Sequence, residues 1–218
     1  MIQLVVFDLD GTLVDSAYDL AAATNALLAD LGAATLPPEV IVGFVGEGAA
    51  VLVRRALERS GLNPDAPRAL ERFLEHYDTR LLDSTQPYPM MVETIAALRA
   101  RYRLAVLTNK PARPTRQILK GLEMDGFFAD VIGGDSVHGR KPDPAGLLDL
   151  VARAGITPAE TLLVGDSPVD LATARRAGTH ICLARYGFGY RFDANGFRGD
   201  EHFIDEPGEL LKLVGRLG

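Results

Sequence analysis

The chain has 218 residues and a net charge of -6, with 47% hydrophobic and 24% charged residues. Such totals describe an ordinary core-forming protein of one large domain, or one domain with an insertion, and the acidic balance argues against nucleic acid or an anionic membrane as partner. The lone Cys182 sits in an apolar run and excludes an internal disulfide. No apolar stretch is long enough to span a bilayer. Met1 leads into a strand without a basic and then apolar leader, so the expected location is cytoplasmic.

In chain order, Leu4-Val5-Val6-Phe7 reads as a strand buried on both faces. It ends in Asp8-Leu9-Asp10-Gly11-Thr12. Leu20, Ala23, Leu27 and Leu31 recur at helical spacing, and Gly32 stops that helix. A short segment, 39–44, leads to Gly46-Glu47-Gly48, then a helix over 49–60 and another carrying Leu70, Phe73, Leu74, Tyr77 and Leu81 on one face. From Asp15 to about Leu82 the pattern predicts helices and no strand. A helix over 91–101 precedes the strand Leu104–Leu107, which ends at Thr108-Asn109-Lys110. A helix around 115–122 and the short strand Val131-Ile132 follow. The loop Gly139-Arg140-Lys141-Pro142 enters a helix over 145–154. The strand Thr161–Val164 ends in Gly165-Asp166-Ser167, a helix covers 168–177, and His180–Ala184 reads as the last central strand. A glycine- and aromatic-rich loop and a helix near 208–217 complete the chain.

Strands alternating with helices predict an α/β fold: a Rossmann-like parallel sheet with helices on both faces. The helical stretch after the first strand reads as an insertion. The expected organisation is a discontinuous core, 1–14 and 83–218, with a small helical cap at 15–82.

Ligands of open parallel sheets bind beyond the carboxyl ends of the strands, near the point where strand order reverses. The unusual polar groups all fall there: Asp8 and Asp10, then Thr108 and Asn109, then Lys141, then Asp166 and Asp170. Asp8 and Asp10 share one side of an extended chain, and two carboxylates held close need a cation or a proton between them. Oxygen ligands suit a hard cation, with Mg²⁺ the natural candidate, while a lysine and a hydroxyl suit a bound phosphate.

Asp8-Leu9-Asp10-Gly11-Thr12, Leu107-Thr108-Asn109, Lys141-Pro142 and Gly165-Asp166-Ser167-Pro168-Val169-Asp170 resemble the four ordered motifs of the haloacid dehalogenase-like superfamily. Val42-Gly43-Phe44-Val45-Gly46-Glu47-Gly48 with Ala49–Leu52, and Asp15-Ser16 with Asp19-Leu20, resemble the cap of bacterial phosphoglycolate phosphatases. The resemblance implies that Asp8 is the nucleophile and Asp10 the general acid and base. It implies Mg²⁺ held by Asp8, the backbone carbonyl of Asp10, and Asp166. Thr108, the Asn109 backbone and Lys141 would bind phosphate, and Asp170 would support the metal's water shell or orient Lys141. The dehalogenases lack the acid at Asp10, so its presence favours phosphoryl chemistry.

The implied activity is Mg²⁺-dependent hydrolysis of a small phosphate monoester, with 2-phosphoglycolate the leading substrate. The rivals are a phosphomutase resembling β-phosphoglucomutase, a pyrophosphatase or sugar-phosphate phosphatase, and a non-catalytic binding module, which would have no use for the acids and lysine. A monomer and a homodimer are equally open. Several features carry two readings. Gly46-Glu47-Gly48 is a turn or a substrate loop. Arg54 and Arg55 form a solvated face or grip a substrate carboxylate. Tyr186-Gly187-Phe188-Gly189-Tyr190 is a lip over the site or a connection. His138 reads as an exposed loop residue, His180 as structural or solvated, and the acids Asp200-Glu201 and Asp205-Glu206 as ordinary surface.

Overall fold

In a computed structural model, which describes residues 1–192 and 196–217, a parallel sheet forms the centre. Its strands are β1 (Leu4–Phe7), β4 (Arg103–Leu107), β5 (Asp130–Ile132), β6 (Thr161–Gly165), β7 (His180–Ala184) and β8 (His202–Ile204), in the order β5-β4-β1-β6-β7-β8. The β1 register pairs Phe7 with Val106 on one side and with Val164 on the other. The carboxyl ends of β4, β1 and β6 therefore lie side by side, and strand order reverses around β1.

Alternation along β1 sends its side chains into two separate cores. Val5 and Phe7 pack with Ile95 and Leu98 of α5 (Met91–Arg99), Ile118 and Leu119 of α6 (Ala112–Gly121), and Leu210 and Leu213 of α9 (Glu209–Arg216). Leu4 and Val6 pack with Leu147 and Leu150 of α7 (Ala145–Ala154) and Leu171 and Ala174 of α8 (Pro168–Ala177). All four β1 residues are buried, so a continuous apolar run is what this position demands. Burying each such side chain contributes about 1.5–3 kcal/mol.

Between β1 and β4 come α1 (Ala17–Asp30), α2 (Pro38–Val42), α3 (Ala49–Arg59) and α4 (Ala69–Asp78), which pack chiefly on one another as a helical cap. Leu20, Leu27, Leu52, Leu57, Phe73 and Tyr77 supply their buried faces. The expected helices fill 17–78, but a short strand pair that the sequence pattern does not show brackets them. β2 (Val14–Asp15) pairs antiparallel with β3 (Gln86–Pro87), tying together the two crossings between core and cap. Two-residue strands, one containing proline, carry no period-2 signal. Asp19 clamps the same junction. Its carboxylate accepts hydrogen bonds from Ser84 N (3.0 Å), Thr85 N (2.8 Å) and Thr85 Oγ1 (2.6 Å). β7 is the last central strand, and the sequence pattern shows nothing of the edge strand that follows it. That strand, β8, adds beside β7, but it has three residues between charged neighbours and shows no apolar run. Among the described residues no helix is long and apolar enough to cross a membrane.

Candidate active site

The ends of β1 and β6, with the loop before α7 and the start of α8, bring Asp8, Asp166, Lys141 and Asp170 into one buried cluster. Asp8 follows β1 and is almost fully enclosed; its Oδ1 accepts the backbone N–H of Leu9 at 2.7 Å and lies 2.9 Å from Lys141 Nζ. Lys141, from the loop before α7, also donates to Asp170 Oδ1 at 2.6 Å. Asp170 has no choice of orientation. Ser167-Pro168-Val169-Asp170 forms a capping box at the start of α8, and Asp170 Oδ2 accepts Ser167 Oγ at 2.6 Å and Ser167 N at 3.1 Å. Asp170 thus holds Lys141 with one oxygen while lying in the same acidic group as Asp8 and Asp166.

Asp166 ends β6. Its carboxylate takes a hydrogen bond from Thr12 Oγ1 at 3.3 Å and one from Gly189 N at 2.7 Å. Gly11 turns the chain away from β1 with φ +86°, and a Cβ there would run into the Asp166 carboxylate. Glycine is needed for both reasons.

One carboxylate oxygen from each of Asp8, Asp166 and Asp170 falls within 4.8 Å of the others. Burial pushes the Asp8 carboxyl up, against the pull of Lys141. Burial, then Asp170 and Asp8, raises Asp166 well above the ordinary range. Burial also opposes the charge on Lys141, yet Asp170 and Asp8 hold its ammonium above its usual value. Three buried acids against one lysine leave excess negative charge, which a cation would offset. An all-oxygen donor set of this kind fits a hard divalent metal.

Asp10 stands apart from that cluster. Its Oδ1 accepts Ser16 Oγ at 2.6 Å, and its Oδ2 lies 2.9 Å from Lys110 Nζ. Lys110 donates in turn to the Tyr77 hydroxyl of α4 at 2.8 Å. Burial is the largest influence on Lys110 and opposes its charge, but Asp10 and Tyr77 more than offset it and its pKa is raised. Burial lifts the Tyr77 phenol to about 12. Asp8, Asp10, Thr108, Asn109 and Lys110 line one side of a cavity of about 50 Å³; Leu20, Val45, Ala49, Leu52, Phe73 and Leu74 of the cap close the other. The Asn109 side chain bridges the two halves, donating to Gly46 O and Lys141 O at 2.9 Å each.

A sequence profile of the haloacid dehalogenase-like hydrolase family matches residues 5–184, a span that holds Asp8, Asp10, Thr108, Asn109, Lys110, Lys141, Asp166 and Asp170. The chain belongs to that family. The Rhodospirillum rubrum phosphoglycolate phosphatase is 43% identical over 196 residues, which cover 86% of this chain and 81% of that one. A Haemophilus influenzae phosphoglycolate phosphatase is 35% identical over 97% of this chain and 98% of its own. The crystal structure of a Haemophilus somnus protein described as a predicted phosphoglycolate phosphatase superposes with a TM-score of 0.89 at 32% identity, covering 98% of both chains.

Arg54 and Arg55 are not among the residues lining the cavity. They pair with Glu58 (3.2 Å) and Glu47 (2.5 Å) on the cap surface. Gly46-Glu47-Gly48 does face the site, through Gly46 and Gly48. The 186–190 loop packs on the catalytic end: Tyr186 OH donates to Thr12 O at 3.1 Å, and Gly189 N reaches Asp166. His138 pairs with Asp149, and His180 stacks near His202. Of the acids expected at the surface, Glu201 departs from that reading and is buried. Cys182 is buried, and burial pushes its thiol far up, away from reactivity. Sequence reasoning missed Ser16 as the partner of Asp10, and it missed the Lys110–Tyr77 pair. A lysine directly after Thr108-Asn109 was the available signal.

Proposed function

We propose that the chain is a Mg²⁺-dependent phosphomonoester hydrolase whose leading substrate is 2-phosphoglycolate. One observation carries this reading: Asp8 and Asp10, two residues apart, occupy separate charge environments. Asp8 shares Lys141 with Asp170 in the acidic cluster, while Asp10 is held by Ser16 and Lys110 at the cavity wall. Acids placed apart in this way suit different tasks. The names of the relatives supply the substrate.

In this reading Lys141 and Thr108 hold the phosphoryl group. Leu9 N and Lys141 occupy Asp8 Oδ1, so Asp8 Oδ2 attacks phosphorus. The bond from phosphorus to the ester oxygen breaks as Asp10 delivers a proton to the leaving alcohol. Asp10, now a carboxylate, then takes a proton from water as that water attacks the aspartyl-phosphate. Phosphate leaves and Asp8 is regenerated. The carboxylates of Asp8 and Asp166, with the Asp10 carbonyl, are the ligands we assign to Mg²⁺. Bound there, the ion would supply positive charge against the anionic phosphoryl group. Residues 15–82 act as the cap and the rest as the core, with the β2–β3 pair as the junction about which they move.

The cavity lies between the cap and the strand ends, with Asp10 and Lys110 beside apolar cap side chains, a setting that suits a small ester with a polar leaving group. The test is a panel of 2-phosphoglycolate, sugar phosphates, pyrophosphate and nucleotides compared by kcat/KM with and without Mg²⁺. The proposal expects 2-phosphoglycolate to rank first. A sugar phosphate ranking above it, or isomerisation without release of phosphate, overturns the assignment.

A further inference from the structure

We propose that Lys110 is the specificity-determining anchor for a carboxylate on the leaving alcohol, so that the site selects small phosphate esters carrying a second anionic group. This rests on the phosphatase reading above. Four observations support it.

The first is position. Lys110 is the cationic side chain among the described residues lining the cavity, and its own side chain is only 5% exposed. The arginines that might have gripped a carboxylate from the cap are turned to surface glutamates. The second is valence. An ammonium has three N–H donors. Among the described residues Lys110 meets two hydrogen-bond acceptors, Asp10 Oδ2 at 2.9 Å and Tyr77 OH at 2.8 Å, and its Nζ lies 4.5 Å from the centre of the Tyr77 ring. No third acceptor meets it among the described residues, so an acceptor on the substrate can take the remaining donor.

The third is reach. A leaving oxygen protonated by Asp10 must lie within hydrogen-bond distance of that carboxylate, about 2.7 Å. Lys110 Nζ sits 2.9 Å from the same carboxylate. A carboxylate joined to the ester oxygen through one methylene is displaced by about 3–4 Å from that oxygen, which brings it to Lys110. The fourth is surroundings. Leu52, Phe73, Leu74, Pro111 and Pro114 form apolar walls around this end of the cavity. They strengthen an ion pair made there, and they offer nothing to an uncharged hydroxyl in exchange for its water.

The test compares kcat/KM for 2-phosphoglycolate and 2-hydroxyethyl phosphate, in which a hydroxymethyl group replaces the carboxylate, using the full chain with Mg²⁺. The wild type is expected to prefer the carboxylate ester. Lys110→Met should reduce the preference ratio by roughly 10- to 100-fold, the range for a hydrogen bond to a charged group, with the loss concentrated in KM. Lys110→Arg keeps the charge and should retain part of the ratio. Lys110→Gln, which keeps length and a donor, replaces the Met variant if circular dichroism shows that one unfolded.

A ratio unchanged within threefold, while both esters fall together, overturns the proposal, because Lys110 then acts only by holding Asp10. In that outcome the phosphatase reading stands. A wild type with no preference for the carboxylate ester overturns both the anchor and the 2-phosphoglycolate assignment. A wild type inactive on every monoester overturns the proposed function itself.

Discussion

Replacing Asp8 with Asn should separate catalysis from stability, and the distances around it give the scale of the second effect. Asp8 is attracted to Lys141 at 2.9 Å, worth about 6 kcal/mol at an effective dielectric of 20. It is repelled by Asp166 and Asp170, each within 4.8 Å, which at the same dielectric costs about 3.5 kcal/mol or more apiece. Attraction and repulsion nearly cancel. Asn also escapes the cost of burying an anion, the same burial that pushes the Asp8 carboxyl up. Without metal, Asp8→Asn should therefore be neutral to slightly stabilising, within about 1 kcal/mol, or roughly 2–4 °C in Tm for a chain of this size. Turnover should fall by roughly 10⁴-fold or more, because the amide cannot form the covalent intermediate. Thermal melts in EDTA and in Mg²⁺, beside steady-state hydrolysis, measure all of this. The rise in Tm on adding Mg²⁺ should shrink in the variant, since a ligand is gone. Activity above a few per cent of wild type sinks the nucleophile assignment. A fall in Tm of 10 °C in EDTA sinks the charge balance.

Asp10→Asn should lower kcat by about 10²- to 10⁴-fold and leave the Mg²⁺-induced rise in Tm in place, because its side chain faces Ser16 and Lys110; equal loss of both contradicts the division of roles. Asn109→Ala removes two hydrogen bonds, to Gly46 O and Lys141 O, and should cost about 2 kcal/mol in urea unfolding and raise KM; an unchanged KM argues that closure over substrate does not use this bridge. Burial works against the Glu201 carboxylate, but Arg198 N–H, the Arg175 guanidinium and Gly199 N–H overcome it and lower its pKa from 4.5 to about 2. A depressed carboxylate stabilises the fold above its unfolded value and loses that contribution in acid, so the stability gap between wild type and Glu201→Gln should be full at pH 7 and close between about pH 4.5 and 2; a gap independent of pH contradicts this.

The legible part of the molecule was the part where one stretch of sequence does one job. The apolar run Leu4–Phe7 could only be a buried strand, and acids at its tip needed a chemical reason. Thr108 and Asp166 were placed by the same rule, since each directly follows a strand, while Lys141 was placed only by its loop lying between β5 and α7. What escaped were features whose meaning depends on a distant partner. The β2–β3 pair exists because the chain crosses twice between core and cap. Tyr77 read as one of the apolar residues on a helix face, and its ring does stack on Phe73. Its hydroxyl, however, accepts from a lysine 33 residues away. Lys110 itself looked like an ordinary residue after a strand, because lysines are rarely buried without a pairing that sequence cannot show.

These distant pairings also explain how the cap can matter to chemistry carried by the core. Each lysine of the site is tied to one of the two acids that the mechanism separates: Lys141 to Asp8, Lys110 to Asp10. Each is also linked to the cap, Lys141 through its carbonyl and Asn109 to Gly46, and Lys110 directly to Tyr77. Opening the cap must break the Gly46 and Tyr77 hydrogen bonds, at about 1 kcal/mol for the neutral one and about 1.5–3 kcal/mol for the charged one. That total is small enough for substrate entry on the timescale of lid motions. It is also large enough for a bound substrate to shift the balance towards the closed form, in which both lysines are held beside their acids.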